Sequence, residues 1–219
     1  LGGSLVSPEA GKVDVAFLRR FRGLILKYIK RGHRFAIIVG GGKVCRAWQD
    51  AASQLGVKNP IDLDWIGIRV THMNMELVRT IFGKLSYARV VENPAQKVPP
   101  FKIVFGCGYE PGSSSDYDAV VRAKTIHGDT VINLSNISHV YDKDPNKFKD
   151  AQPFKTISWA DYLSRFDIKW TPGANVPFDS KAGSLAAREN IRVAFMDGRD
   201  LKNVEKFLQG KKFRGTIIG

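Results

Sequence analysis

With 219 residues, 43% of them hydrophobic, the chain can bury a full core, and no apolar run approaches the roughly 18 residues of a membrane-spanning helix. Two cysteines outside any C-x-x-C pair and four scattered histidines indicate reduced thiols, a cytoplasmic protein and no structural zinc. The net charge of +13 indicates anionic partners such as nucleotides, nucleic acid or an acidic membrane surface, although a merely solvated basic surface would give the same charge.

The first half of the chain alternates helical and strand-like patterns. Apolar residues recur at helical spacing up to Gly32, and the short apolar run after it stops at three glycines. Pro60 suits the first turn of a later helix. The predicted elements are a helix over 13–31, a strand over 35–39, helices over 43–55 and 60–82, and strands over 88–92 and 102–105.

The second half continues the same alternation. The predicted elements are a helix over 117–126, a strand over 130–134, a polar loop over 142–152, helices over 158–165, 181–189 and 201–209, and strands over 191–196 and 216–218. Alternating strands and helices predict an α/β fold with a largely parallel sheet and helices on both of its faces. We expect one compact unit with two lobes.

Glycine-rich turns follow several of the predicted strands. Ligands of such sheets bind at the carboxyl ends of the strands, so the loops after Leu1, Val39, Phe105 and Leu134 are expected to meet at one edge. Three of these four loops begin with glycines. The sequence therefore predicts an anion site at this edge.

The turn Gly40-Gly41-Gly42 opens a predicted helix that carries Lys43 and Arg46. Bare backbone N–H groups at a helix N-terminus can cradle a phosphate, and Arg46 lies one turn inside the helix. The alternative is a tight strand-to-helix turn with Arg46 pointing to water. The chain contains no Walker P-loop, so a kinase on this scaffold would bind phosphate in another way.

A second glycine-rich loop contains Gly106, Gly108 and Gly112 and leads into Ser113, Ser114 and Ser115. Its donors suit a second phosphate or the edge of a base. The alternative is that the serines only cap the following helix.

Two weaker patterns are compatible with a nucleotide. Asp64, Gly67, Thr71 and Asn74 recur at helical spacing and line one helix face, which either contacts a ligand or is solvated. Tyr141 and Asp144 precede Pro145 and would suit an adenine site, although the same residues fit any surface turn.

In this order and spacing, these motifs resemble the amino acid kinase family over essentially the whole chain, and most closely its uridylate (UMP) kinase branch in the archaeal-like form. The resemblance implies a three-layer αβα sandwich with an acceptor lobe near 1–125 and an ATP lobe near 126–219. It also implies conversion of UMP to UDP with ATP and Mg²⁺ in pyrimidine biosynthesis by a homohexamer, without a membrane or nucleic acid partner.

Matched residue by residue, the family pattern implies two binding sets. The ATP set is Gly3, Ser4, Gly42, Arg46, Ser135, Asn136, Tyr141 and Asp144. The UMP set is Gly41, Asp64, Gly67, Thr71, Tyr109, Glu110, Pro111, Gly112, Ser113, Ser114 and Ser115.

Among the departures of the chain from the family pattern, which include Gly106-Cys107 in place of a usual Gly-Gly, two change the charge of the site. Ile137-Ser138-His139 stands where relatives usually carry Val-Asp-Gly, and Ser184 stands where many carry a lysine. Lys181, on the same predicted helix, is a possible substitute. We expect Arg46, with Lys43 or Lys181, to neutralise charge on the transferred group.

Other functions stay open on the sequence alone. Acetylglutamate or isopentenyl phosphate could replace UMP within the family. A nicotinamide-dependent dehydrogenase could use Gly106-x-Gly108, but the acidic residue expected after the next strand is missing, because Leu134 leads to Ser135-Asn136. A non-catalytic nucleotide sensor, degenerate at Ser138 and Ser184, is the third alternative.

Overall fold

A computed structural model of the chain describes residues 1–145, 147–166 and 176–219. The helices are α1 (Gly3–Val6), α2 (Val15–Ile29), α3 (Gly42–Gln54), α4 (Pro60–Thr80), α5 (Ser115–Thr125), α6 (Trp159–Phe166), α7 (Ser180–Arg188) and α8 (Leu201–Leu208), with a 3-10 turn at Gly83–Leu85. The strands are β1 (Phe35–Ile38), β2 (Ile103–Gly106), β3 (Thr130–Ser135), β4 (Thr156–Ile157), β5 (Arg192–Asp197) and β6 (Thr216–Ile218).

The strands form two sheets. β1 pairs with β2 in parallel, and the second sheet has the order β3-β5-β6-β4. Its β3–β5 and β4–β6 pairs are parallel, while β5 and β6 run antiparallel. The first residues of the chain bridge the two sheets, because the Leu1 backbone nitrogen donates to Ile38 O and the Gly2 nitrogen donates to Leu134 O. The predicted α/β class with largely parallel strands is confirmed.

Strand β5 lies between the two hydrophobic cores of the molecule. Its residues Ala194 and Met196 point into a core shared with α2, α4 and β2, whereas Val193 and Phe195 point into a core shared with α5, α6 and α7. All four side chains are fully buried. A strand buried on both faces is typical of a sheet with helix layers on each side, as the sandwich architecture requires.

Helix α2 forms for the reason that its periodicity predicts. Phe17, Phe21 and Tyr28 recur on one face and are almost completely buried. Asp14 caps the helix by accepting a hydrogen bond from the Phe17 nitrogen at 2.8 Å. The other predicted helices are also present, each with ends within two residues of the prediction.

The predicted strand over 88–92 is wrong. The Tyr87 nitrogen donates to Ile103 O and the Val91 nitrogen donates to Phe105 O, so this segment does follow the edge of β2. However, four residue steps separate the two donors and only two steps separate the two acceptors. The surplus residues bulge outward and interrupt the ladder.

Two short elements were not predicted, α1 and β4, because four and two residues give no readable periodicity. The polar segment 142–152 is irregular where described; its Asn146 lies outside the described residues. The lobe boundary near residue 125 stays a prediction. None of the helices in the described ranges has the length and apolar character needed to cross a membrane.

Candidate active site

The glycine turns converge at the carboxyl ends of β1 and β3. The Gly40 nitrogen donates to Leu1 O at 3.0 Å, and the Gly2 nitrogen donates to Leu134 O at 2.9 Å. The turn after β2 joins them, because the Val39 nitrogen donates to Gly106 O. The four loops therefore meet at one edge, as expected for loops that follow the carboxyl ends of strands.

The first two glycine turns touch backbone to backbone. A Cβ atom on Gly3 would lie 2.3 Å from Gly40 O, and a Cβ on Gly42 would lie 2.3 Å from the Ser4 nitrogen. Gly42 also has a φ of +65°, which side-chain-bearing residues rarely adopt. Only glycine at these two positions allows the turns to approach so closely.

A cavity of about 190 Å³ opens beside these turns. It lies between the N-terminal end of α3, the inner face of α4, the serine loop before α5 and the segment before α7. Its lining residues are Gly41, Gly42, Cys45, Arg46, Gln49, Asp64, Gly67, Ile68, Thr71, Gly108, Ser113, Ser114, Ser115, Asp116, Val176 and Asp179.

Arg46 is half-buried and lines this cavity from the second turn of α3. This position beside the cavity favours a ligand contact over the alternative in which Arg46 points to water. Lys43 is exposed and does not line the cavity. Gly3 and Ser4 lie on α1, against the outer side of the Gly40–Gly42 turn.

The polar face of α4 is buried, so the alternative of a solvated helix face is wrong. Asn74 donates its amide to Gly40 O at 3.0 Å and to Gly41 O at 3.2 Å, which fixes the glycine turn. Thr71 accepts a hydrogen bond from the Gly108 nitrogen at 2.8 Å. Asp64 accepts one from the Gly112 nitrogen at 2.8 Å. The face thus joins the glycine turn to the second glycine-rich loop.

Only part of the segment 109–115, called the acceptor loop below, lines the cavity. Its three serines line the cavity, and Ser114 also caps α5 by accepting from the Tyr117 nitrogen at 3.1 Å. Ser114 therefore caps the helix, and all three serines also border the cavity. Tyr109, Glu110, Pro111 and Gly112 lie outside the cavity lining.

Lys181 reaches the acceptor loop from the first turn of α7. Its ammonium donates to Gly112 O at 2.8 Å and to Ser113 Oγ at 3.2 Å, and it lies 4.6 Å from the centre of the Tyr117 ring. These contacts place the lysine at the rim of the cavity, next to its serines.

The remaining residues of the ATP set lie beyond β3 and outside the cavity lining. Ser135 ends β3, and Asn136 O accepts a hydrogen bond from Arg199. Ser138 lies within hydrogen-bonding distance of both the Tyr141 hydroxyl and His139 Nδ1, at 3.0 Å each. Ser138 therefore contacts the predicted adenosine tyrosine directly. The Asp144 carbonyl oxygen accepts hydrogen bonds from the Lys147 and Phe148 nitrogens.

Two acids of the site, the half-buried Asp116 and the buried Asp179, are not among the site residues that the sequence predicts. Asp116 accepts from the Asn133 amide at 3.1 Å and from the Asp179 nitrogen at 3.3 Å, and burial raises the pKa of Asp116 to about 6. Asp179 is only 3% exposed. A Ser-Asp pair at a helix start indicates capping, and no pattern in the sequence brings residues 116 and 179 together.

Residues 1–145, 147–166 and 176–219 contain no group of three or more His, Cys, Asp or Glu side chains that could hold a metal ion. Magnesium is commonly bound by one or two carboxylates together with substrate phosphates. The Asp116 carboxylate in the cavity wall fits a metal that arrives with a nucleotide.

Comparison with known proteins agrees with the motif order. A model of the amino acid kinase family matches residues 1–197. The uridylate kinase of Thermoplasma volcanium is 32% identical over 221 residues, which cover 100% of this chain and 95% of the relative. The uridylate kinase of Methanobrevibacter smithii is 31% identical over 198 residues, which cover 89% of this chain and 88% of the relative.

Solved structures give the same result. The crystal structure of uridylate kinase from Archaeoglobus fulgidus matches with a TM-score of 0.82 at 26% identity, covering 100% of this chain and 97% of that chain. UMP kinase from Bacillus anthracis matches with a TM-score of 0.78 at 20% identity, covering 100% and 93%. The second likeness concerns the fold alone.

Proposed function

Because the chain belongs to the amino acid kinase family, we propose that it transfers the terminal phosphate of ATP to UMP and forms UDP, as a nucleoside monophosphate kinase. The observation that carries this proposal is the cavity in which the Gly40–Gly42 turn, Arg46 and Asp64 surround one space. Relatives named uridylate kinase favour UMP over acetylglutamate or isopentenyl phosphate as the acceptor.

The proposed chemistry is mainly positioning and charge neutralisation. Phosphoryl transfer needs the attacking and leaving oxygens in line, and it needs cations and N–H donors around the moving group. Backbone N–H groups of Gly41, Gly42 and the first turn of α3 would provide donors, and Arg46 would provide a bidentate cation. Lys181 adds a second charge at the rim, which supports a role in place of the lysine absent at Ser184.

The acceptor nucleotide would lie along α4 and the acceptor loop. We assign the ribose to Asp64, with Gly41, Gly67 and Thr71 beside it, and the base and phosphate to the acceptor loop. The support is that Asp64 and Thr71 line the cavity and both accept hydrogen bonds from the second glycine-rich loop.

The donor nucleotide would lie on the opposite side of the glycine turns. We assign its phosphates to Gly3, Ser4, Gly42 and Arg46, and its adenosine to the segment from Ser135 to Asp144. Magnesium bound with ATP would supply further positive charge to the β- and γ-phosphates. Asp116, which lines the cavity, is the carboxylate that we assign to it.

The geometry after Gly106 does not fit the dehydrogenase alternative. A dinucleotide turn leads directly into a helix, whose N-terminus faces the pyrophosphate. Here α5 begins only at Ser115, well after Gly108, and the Gly108 nitrogen is bound to Thr71.

The deciding experiment measures ADP release from Mg-ATP with UMP, CMP, isopentenyl phosphate and N-acetylglutamate offered separately. We expect turnover with UMP well above the other three. ADP formation with CMP but not UMP would contradict the proposed acceptor. Background rates with all four would leave the non-catalytic sensor as the better description.

We also propose a homo-oligomer, a hexamer by family resemblance, in the cytoplasm. Support for self-association comes from α3 and α4, which pack on each other. Six large apolar side chains on these helices or directly after α3 are exposed: Trp48, Leu55, Ile61, Trp65, Met73 and Leu77. Together these expose on the order of 600 Å² of surface, close to the ~800 Å² per partner of a standard interface. Support for the location comes from Cys45 and Cys107, which are both unpaired thiols.

A further inference from the structure

The N-terminal end of α7 contacts the acceptor loop through a carboxylate that is almost completely buried. Asp179 precedes α7 and is 3% exposed. One of its oxygens, Oδ1, accepts from the Lys181 nitrogen at 3.0 Å and so caps the helix. The other, Oδ2, accepts the Ser114 hydroxyl at 2.6 Å. One side chain therefore joins the start of α7 to the loop.

Further hydrogen bonds connect Asp179 to β3, the strand that leads to the proposed ATP site. The Asp179 nitrogen donates to Asp116 Oδ2 at 3.3 Å, and the Asn133 amide donates to Asp116 Oδ1 at 3.1 Å. Asn133 lies on β3, two residues before Ser135. A chain of hydrogen bonds thus runs from Ser114 through Asp179 and Asp116 to β3.

These hydrogen bonds determine which groups the hydroxyls of Ser113 and Ser114 can still bind. Ser114 has one proton, which it gives to Asp179, and its oxygen accepts from the Tyr117 nitrogen. It therefore has no proton left to donate to a ligand. Ser113 accepts from Lys181, so its own proton remains for an acceptor in the cavity.

We propose that Asp179 is a positioning residue for the acceptor nucleotide: it holds Ser114, and through Ser114 it sets where Ser113 and Ser115 meet the substrate. This inference rests on the proposed function, because it takes the cavity to be the UMP site. It changes the expected role of Ser114 from a substrate contact to a link between the acceptor loop and α7.

The test is a double-mutant cycle between the two partners. Asp179→Ala, Ser114→Ala and the double variant are each titrated with UMP in the absence of ATP, and KM is measured for both substrates. Hydrogen bonds to charged groups are among the stronger ones, so each single variant should bind UMP about tenfold more weakly. The double variant should be no weaker than the worse single variant, and KM for ATP should change less than about twofold.

The matched control is Asp14→Ala. It removes an equivalent N-cap from α2, where Asp14 accepts from Phe17, and it lies outside the cavity lining. We expect a lower melting temperature with unchanged UMP affinity. Should Asp179→Ala fail to fold, Asp179→Ser retains a hydroxyl cap but is too short to reach Ser114, and it takes its place in the cycle.

The outcomes separate the two claims. Additive losses, UMP affinity unchanged in Asp179→Ala, or equal increases of KM for UMP and ATP would overturn the positioning role while UMP turnover by the wild type stands. A wild-type protein that forms no ADP with UMP would overturn the proposed function and the inference with it.

Discussion

Arg46 is the one cation in the wall of the cavity over the described part of the chain. If Arg46 contacts phosphate as proposed, its replacement by alanine should remove a charged contact of about 2–3 kcal/mol, so we expect kcat/KM to fall by roughly 30- to 150-fold. Steady-state kinetics with UMP and Mg-ATP measure this loss.

The control for this change is Arg46→Lys, which retains the charge but loses the planar, bidentate fork. It should recover only part of the activity. Kinetics of Arg46→Ala close to those of the wild type would remove Arg46 from the site.

Asp118 is a buried acid that lies below the acceptor loop and accepts from the Tyr109 nitrogen at 3.2 Å. Burial raises the pKa of Asp118 to about 7, while Lys181 opposes that rise and Glu110 and Asp116 add to it. Because the folded protein holds this proton more tightly than the unfolded chain, stability from this group is present at low pH. It is lost as the pH rises from about 4 through 7.

We therefore expect Asp118→Asn to raise the free energy of unfolding at pH 8 by about 1–2 kcal/mol and to have little effect at pH 4. Thermal unfolding at the two pH values measures the difference. Asp50→Asn, on the exposed face of α3, serves as the control. A stabilisation of equal size at both pH values would contradict a buried, ionised Asp118.

Two helix glycines make a matched pair. A Cβ on Gly3, in α1, would meet Gly40 O at 2.3 Å, whereas a Cβ on Gly23, in α2, would meet nothing within 4 Å. Gly23→Ala should stabilise the protein by about 0.5–1 kcal/mol because glycine is unfavourable inside a helix. Gly3→Ala should separate the glycine turns and reduce both stability and turnover.

Denaturant unfolding and UMP turnover of the two variants measure this contrast. Equal stability of Gly3→Ala and Gly23→Ala would contradict the backbone-to-backbone contact of the two turns.

Elements with a long repeat of buried side chains could be predicted from the sequence. The apolar stripe of α2 and the Pro60 start of α4 are examples, and β6 was predicted with the bounds it has. The segment 88–92 was not predicted correctly, because its composition suits a strand and only its register against β2 makes it bulge. β-propensity is weaker than the tertiary context.

Part of the site could be predicted, from the loops that follow strands and from the polar spacing along one helix. Gly41, Asp64 and Ser113 were expected in one place and do line one cavity. Asp179 could not be found, because its partners Ser114 and Asp116 are 65 and 63 residues away in sequence. Only the packing of α7 on α5 brings these residues into contact.

For the whole molecule, the apolar surface of α3 and α4 is the feature that a monomer would leave uncovered. Large apolar side chains that are exposed on two packed helices favour a partner surface over water. We expect the double variant Trp48→Glu, Trp65→Glu to lower the molecular mass in light scattering. Phe148→Glu, at an exposed aromatic residue away from these helices, should leave the mass unchanged.

A monomeric mass for the wild type would contradict self-association. A mass unchanged by the double tryptophan variant would exclude this surface and leave the oligomer itself possible through another one.

The backbone bonds that join Leu1, Gly40 and Leu134 have a consequence for amide hydrogen exchange. Loop amides usually exchange quickly, because a local opening is enough to expose them. Here the Gly2 amide is bound to Leu134 O and the Gly40 amide to Leu1 O, so each can exchange only when the first residues of the chain separate from a segment far away in sequence. These two loop amides should therefore exchange more slowly than loop amides that face water, and hydrogen-exchange measurements would show whether the glycine turns open separately from the sheet.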